Sequence, residues 1–196
     1  LRLLTADQVQ VDPLVSLDMT RPLAAVTVPD ASSGVLLGSG EAADRAVDEA
    51  LRAGAALLAS EQYGLARWCL ETTVEYARTR VQFARPIGSF QAIKHRLADL
   101  FLAVTQAQAA ARYAADCLAR GDADIDVATA VAQAYCSDVA VRAAEEGLQL
   151  HGGIGMTWEH PVHLYLKRAK SDQLALGTPA RHRSDLAGLV DLPAGA

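Results

Sequence analysis

The sequence predicts a mainly α protein: an antiparallel four-helix bundle preceded by a short β remnant. Three observations carry this expectation. Hydrophobic residues make up 51% of the chain but aromatics only 5%, and alanine-rich stretches such as Gln108-Ala109-Ala110-Ala111 suit closely packed helices better than a sandwich of strands. From Gly40 onwards, apolar residues recur at the helical period in four runs separated by short breaks. Residues 1–38 instead alternate and turn.

In that first segment Val9, Val11, Leu14, Val15 and Leu17, and then Leu23 through Val28, read as short strands broken by Pro13, Pro22, Pro29 and the turn Ser32-Ser33-Gly34. So few short strands cannot bury a sheet face, so residues 1–38 are expected to be the end of a β domain. The first helix is expected over 41–80, with a stripe of Ala46, Ala50, Leu51, Ala55, Leu58, Ala59, Tyr63, Leu65, Ala66, Cys69, Leu70, Val74 and Ala77. Pro86-Ile87-Gly88 breaks the pattern, and Ser89 is the candidate N-cap of a second helix that runs to Arg120 and stops at Gly121. Asp122 to Asp126 place negative charge at the start of a third helix extending to about Leu150. Glu159-His160-Pro161 opens a shorter fourth through about Leu174.

Composition narrows the function classes. A net charge of −5 with scattered cations argues against general nucleic-acid binding, which needs clustered positive charge. Cys69, Cys117 and Cys136 are odd in number and each lies in an apolar helical pattern, as expected of buried reduced thiols in the cytoplasm. No apolar run reaches the roughly 18 residues of a membrane span, and no signal-peptide pattern opens the chain, so a soluble cytoplasmic protein is expected.

Two segments carry chemistry. The stretch Arg80-Val81-Gln82-Phe83-Ala84-Arg85-Pro86-Ile87-Gly88-Ser89-Phe90-Gln91 ends a helix in a cationic turn with an aromatic and an amide side chain. A cation there also serves simply as a helix cap, and Gln91 as a surface amide. Far downstream, Gln149-Leu150-His151-Gly152-Gly153-Ile154-Gly155 places two glycines where a backbone can approach a bulky anion such as a diphosphate. A glycine pair after a helix is also an ordinary stop signal. Lys167, Arg168 and Lys170 form a basic cluster whose default reading is a solvated face.

With Gly177-Thr178 near the C-terminus, these motifs resemble the C-terminal helical domain of the acyl-CoA dehydrogenase family, and the resemblance covers most of the chain. It implies that residues 1–38 end a middle β domain and that residues 39–196 form an FAD-binding and oligomerisation domain. Arg80, Gln82, Phe83, Gln149, Gly152, Gly153 and Thr178 are then the FAD contacts, several serving the cofactor of a neighbouring subunit. The family often has Gly where this chain has Ala84, and Arg-Asp where it has Lys167-Arg168.

The resemblance also implies where a catalytic carboxylate belongs, and this chain lacks it. The two usual positions hold Leu176, in Ala175-Leu176-Gly177-Thr178, and Gly54. Neither side chain accepts a proton; Glu49 and Glu61, one or two turns away, are the candidates for a displaced base. The expected function is an acyl-CoA dehydrogenase homologue without catalytic residues of its own, contributing to FAD binding beside a homologous subunit that holds the base. Its substrate would be an acyl-CoA of lipid or steroid side-chain degradation and its redox partner an electron-transfer flavoprotein. The alternative is a helical interaction subunit that binds no flavin.

Overall fold

In the computed structural model, which describes residues 1–192, the change of period at Gly40 is the change from strands to helices. The described residues separate into two compact units, Leu1–Arg52 and the residues from Ala53 onwards.

In the first unit, β1 (Arg2–Leu3) pairs with β4 (Val35–Leu36), and β2 (Gln10–Leu14) pairs antiparallel with β3 (Leu23–Thr27), placing Val11 opposite Val26 and Leu14 opposite Leu23. Every residue of these strands is exposed, as expected of ladders too small to bury a face. Buried Asp18 closes the connection between β2 and β3 by accepting the Thr20 N–H (2.9 Å) and hydroxyl (2.7 Å).

Helix α1 (Glu41–Thr79) starts in this unit. Ala46, Ala50 and Leu51, expected in its buried stripe, are exposed, because its first turns lie in a unit with few residues to cover them.

In the second unit α1 is joined by α2 (Gln91–Arg120), α3 (Ile125–His151), α4 (Val162–Leu174) and α5 (Pro179–Leu189). Polar contacts set the directions. Gln133 Nε2 donates to the Ala55 carbonyl (2.6 Å), Gln62 Nε2 to the Ser137 hydroxyl (2.9 Å), and Gly147 faces Thr73, so α1 and α3 run parallel. Arg96 meets Glu146 while Cys136 meets Ala107, so α2 is antiparallel to α3. Lys170 meets Glu145 and Gln173 meets Asp138, which makes α4 antiparallel as well. The four-helix bundle is therefore up-down-up-down. Helix α3, alanine-rich, is buried nearly all round at its centre. The three cysteines are buried and free, and burial pushes the Cys69 and Cys136 thiols up to about 12.

Gly121 ends α2 in the left-handed conformation (φ +62), as its position predicts. Ser89 is not the cap of α2: Ile87–Ser89 forms a 3₁₀ turn in which the Ser89 hydroxyl donates to the Pro86 carbonyl (2.7 Å), and Phe90 takes the cap position. Helix α5 is an addition to the four expected. Thr178 caps it by accepting the Arg181 N–H (3.3 Å), Pro179 follows at the first helical position, and Arg183 ties it to the Ala134 carbonyl (3.2 Å).

Candidate functional site

At the C-terminal end of α1 the chain reverses sharply. Strands β5 (Val81–Gln82) and β6 (Arg85–Pro86) pair around a two-residue turn, Phe83-Ala84, with φ of +53 and +61. Two successive left-handed residues match the right-handed strand twist. Neither being glycine, each carries strain of order 1–3 kcal/mol. Ala84 thus keeps the tight turn at a cost. Phe83 stays 88% exposed, edge-on to Phe90 at 6.2 Å, and the Arg85 guanidinium lies 3.9 Å over the Phe90 ring. Arg80 and Gln82 are exposed, as is Gln91 at the first turn of α2. Arg80 is held through its backbone, which donates to Tyr76 (2.9 Å) and accepts from Ile87 (2.8 Å), leaving the guanidinium in solvent. A Cβ at Gly88 would fall 2.8 Å from the Ala77 carbonyl, so glycine lets this turn lie against α1.

The second segment ends α3. Gly152 is left-handed (φ +62) and starts a 3₁₀ turn over Gly152–Met156, with Gln149, Gly152 and Gly153 all exposed. Gly153 differs in kind. Its φ lies outside the left-handed region and an added Cβ would meet nothing within 4 Å, so the fold itself does not demand glycine there. Open space over a backbone that needs no glycine for its own sake fits a ligand approaching from outside.

Tyr76 of α1 and His151 of α3 bring the two segments to the same end of the bundle. Their rings stack at 4.3 Å and the Tyr76 hydroxyl donates to the His151 carbonyl (3.4 Å). His151 is buried, with Nδ1 2.6 Å from the Gly147 carbonyl, and its ring lies 4.2 Å from that of His160. Burial holds His160 below the usual imidazole range, and the neighbouring His151 and His163 add to the effect. Among the described residues no group of three His, Cys, Asp or Glu is placed to hold a metal ion.

The other end of the bundle holds the two positions where a carboxylate was sought. They converge: a Cβ on Gly54 would lie 3.0 Å from Leu176 Cδ1, so leucine fills the notch that glycine leaves. Leu176 sits in a strained turn with Gly177 (φ +56 and +110), held by His182, whose Nε2 donates to the Leu176 carbonyl (3.1 Å). Thr178 follows as the α5 cap, so its hydroxyl faces its own helix and lies away from Arg80 and Gly153. The stretch of α1 from Gly54 to Tyr76 is about 33 Å long at the helical rise. Glu61 pairs with Arg168 at 2.6 Å, and Glu49 is exposed.

The basic cluster is not a plain solvated face. Arg168 reaches Glu61, Lys170 reaches Glu145 (3.2 Å), and the Lys167 ammonium lies 5.5 Å from the Trp158 ring, all three side chains being half-buried.

Residues 45–189 match the family of the acyl-CoA dehydrogenase C-terminal domain. The chain is 50% identical over 125 residues to the acyl-CoA dehydrogenase IpdE2 of Mycobacterium tuberculosis, covering 64% of this chain and 37% of that protein. The ChsE4-ChsE5 complex from Mycobacterium tuberculosis is similar in structure, with a TM-score of 0.80 and 28% identity over 96% of this chain and 50% of that one. So is a variant of the Tcur3481-Tcur3483 steroid ACAD, with a TM-score of 0.80 and 26% identity over 94% of this chain and 49% of that one. The chain thus spans half or less of the length of these relatives. On the family match and the bundle together, it belongs to the acyl-CoA dehydrogenase family.

Proposed function

We propose that this chain is the C-terminal, flavin-contacting part of an acyl-CoA dehydrogenase homologue that lacks the catalytic base and works in a heteromeric enzyme whose other subunit supplies it. In this reading residues 1–38 close a middle β domain and residues 39–196 form the FAD-binding and oligomerisation domain. The observation that carries it is the convergence of Gly54 and Leu176 on one apolar contact, where neither side chain takes a proton. Of the alternatives, Glu61 is committed to Arg168. Relatives named as acyl-CoA dehydrogenases, a two-component complex and a steroid ACAD support an acyl-CoA substrate of lipid or steroid side-chain degradation.

When bound, FAD supplies the hydride acceptor for α,β-dehydrogenation of the thioester. The residues present suit its diphosphate: Arg80 offers an exposed cation and Gly152-Gly153 an open backbone at the same end of the bundle. Gln82, Phe83 and Gln149 flank these and would hold the remainder of the adenosine end, while Thr178, at the opposite end, would contact a different FAD from the one that Arg80 faces. An electron-transfer flavoprotein would carry the electrons onwards.

Arg80→Ala removes a cation facing phosphate, and a charge-assisted bond of roughly 1.5–3 kcal/mol corresponds to about a ten- to hundred-fold loss of flavin affinity. Gly153→Val fills the open space over the backbone. Flavin absorbance of the purified assembly should fall in both variants while the melting temperature of the flavin-free protein stays unchanged, since the Arg80 side chain is exposed and a Cβ at Gly153 meets open space. Full flavin content in both rejects the cofactor assignment.

A further inference from the structure

Resting on the reading of Gly152-Gly153 as a ligand-facing turn, we propose that His151 and His160 are positioning residues that hold this turn while the His160 imidazole is neutral, and that a proton on His160 releases it. The hydrogen bonds define the neutral pair. His151 Nδ1 lies 2.6 Å from the Gly147 carbonyl, which only accepts, so Nδ1 carries the hydrogen. Its Nε2 is then a bare acceptor, buried without a hydrogen-bond partner. His160 is the other tautomer: its Nδ1 accepts the N–H of Val162 (3.3 Å), the first residue of α4, so its hydrogen sits on Nε2.

A proton arriving at His160 has only Nδ1 to occupy. There it turns the acceptor of the Val162 N–H into a second donor, and this bond at the first residue of α4 is lost, leaving the Leu164 N–H to Pro161 carbonyl bond (2.9 Å) to hold the helix start. The new cation also lies 4.2 Å from the His151 ring. The titratable groups facing the pair are Tyr76 from α1, stacked on His151, and His163 from α4, which acts on His160; the causes acting on His160 include no carboxylate. Burial is the largest of these causes, so the fold favours neutral His160, and its folded value lies below the unfolded one. As pH falls through about 6.5 the unfolded chain takes the proton first, and the stability contributed by neutral His160 is lost on the acid side.

Packing couples that event to the turn. A Cβ on Gly155 would meet the His151 Cβ at 3.2 Å and Val162 Cγ1 at 3.4 Å, so turn, histidine and helix start form one packed unit. Loosening Val162 therefore frees Gly152–Met156, while the Arg80 turn keeps its own backbone bonds to Tyr76 and Ile87.

The test is hydrogen exchange read by mass spectrometry on the native full-length protein, from about pH 8 to about pH 5, corrected for chemical exchange. Peptides spanning 152–163 should lose protection below about pH 6.5, and those of central α2 should not. In His160→Asn the Oδ1 replaces Nδ1 as the Val162 acceptor and does not titrate, so protection should persist into acid. The same pH course in wild type and His160→Asn overturns the proposal. Should His160→Asn not fold, the wild-type imidazole resonances decide: an ordinary titration of His160 with Val162 protection unchanged is equally fatal. Flavin retention measured in parallel separates the two readings. Acid release that His160→Asn abolishes supports both, whereas acid loosening in a protein that never holds flavin keeps the latch and removes the ligand.

Discussion

The two ends of the helical bundle are built from the same kinds of residue and put them to opposite use. At one end, Arg80, Gly152 and Gly153 leave a cation and a bare backbone open to solvent, with strain spent on Phe83 and Ala84 to keep the turn tight. At the other, Gly54 and Leu176 close on each other, with Leu176 held at a strained positive φ beside Gly177. Under the proposed function, groups for holding a ligand and groups for moving a proton are separable within one domain: the exposed cation and glycines would serve the first task, and an apolar contact stands where the second would be done.

Glycines at the two ends should respond differently to the same substitution. At Gly177 a Cβ would fall 2.8 Å from His182 Nε2 at a φ of +110, so Gly177→Val combines overlap with backbone strain. It should cost about 3 kcal/mol, or roughly 6–12 °C in melting temperature. Gly153→Val should leave the melting of the flavin-free protein untouched. Equal destabilisation by both would mean that Gly153 serves the fold and faces no ligand.

Glu61→Gln sharpens the other end. It removes the charge of the carboxylate that Arg168 meets at 2.6 Å in a half-buried setting and should lower stability by about 1–2 kcal/mol in urea titration. A variant as stable as wild type would release Glu61 from its structural duty and reopen it as a displaced base.

The smallest effect is expected from the thiols. With Cys69 and Cys136 pushed up to about 12 by burial, and Cys117 fully buried, a thiol reagent at neutral pH should react only as fast as the protein unfolds. A rapidly reacting thiol would show that the bundle opens locally.

The helices were legible because their signals are local. Gly121 supplies a left-handed stop and the alanine-rich period of α3 survives into a helix buried nearly all round. Helix α5 is not among the expected elements although Thr178-Pro179 is a cap followed by a first-turn proline, because Gly177-Thr178 also carries a ligand motif. The cap of α2 falls one residue beyond Ser89 because the Ser89 hydroxyl turns back to the Pro86 carbonyl inside a 3₁₀ turn, which the helical period does not reveal. At the site, Arg80, Gly152 and Gly153 could be named from their motifs, and the resemblance implied that the Gly54 and Leu176 positions approach one point, but not that leucine fills the notch that glycine leaves. Tyr76, His160 and His182 carried no motif, and only packing reveals their partners. The Gln62, Gln133 and Ser137 cluster that ties α1 to α3 is likewise invisible to periodicity, since buried amides interrupt the apolar pattern that marks a core.

Removing the α proton of a thioester needs a positioned base, and the Gly54–Leu176 contact has none. The direct measurement is acyl-CoA oxidation with an artificial electron acceptor, comparing the native protein purified as a homomeric assembly with the same protein joined to a carboxylate-bearing homologous subunit. Turnover only in the mixed assembly, with Leu176→Glu restoring at most a trace to the homomer because a carboxylate there pays for desolvation, is the predicted result. Robust turnover by the wild-type homomer, abolished on replacing Glu49 or Glu61, would contradict it.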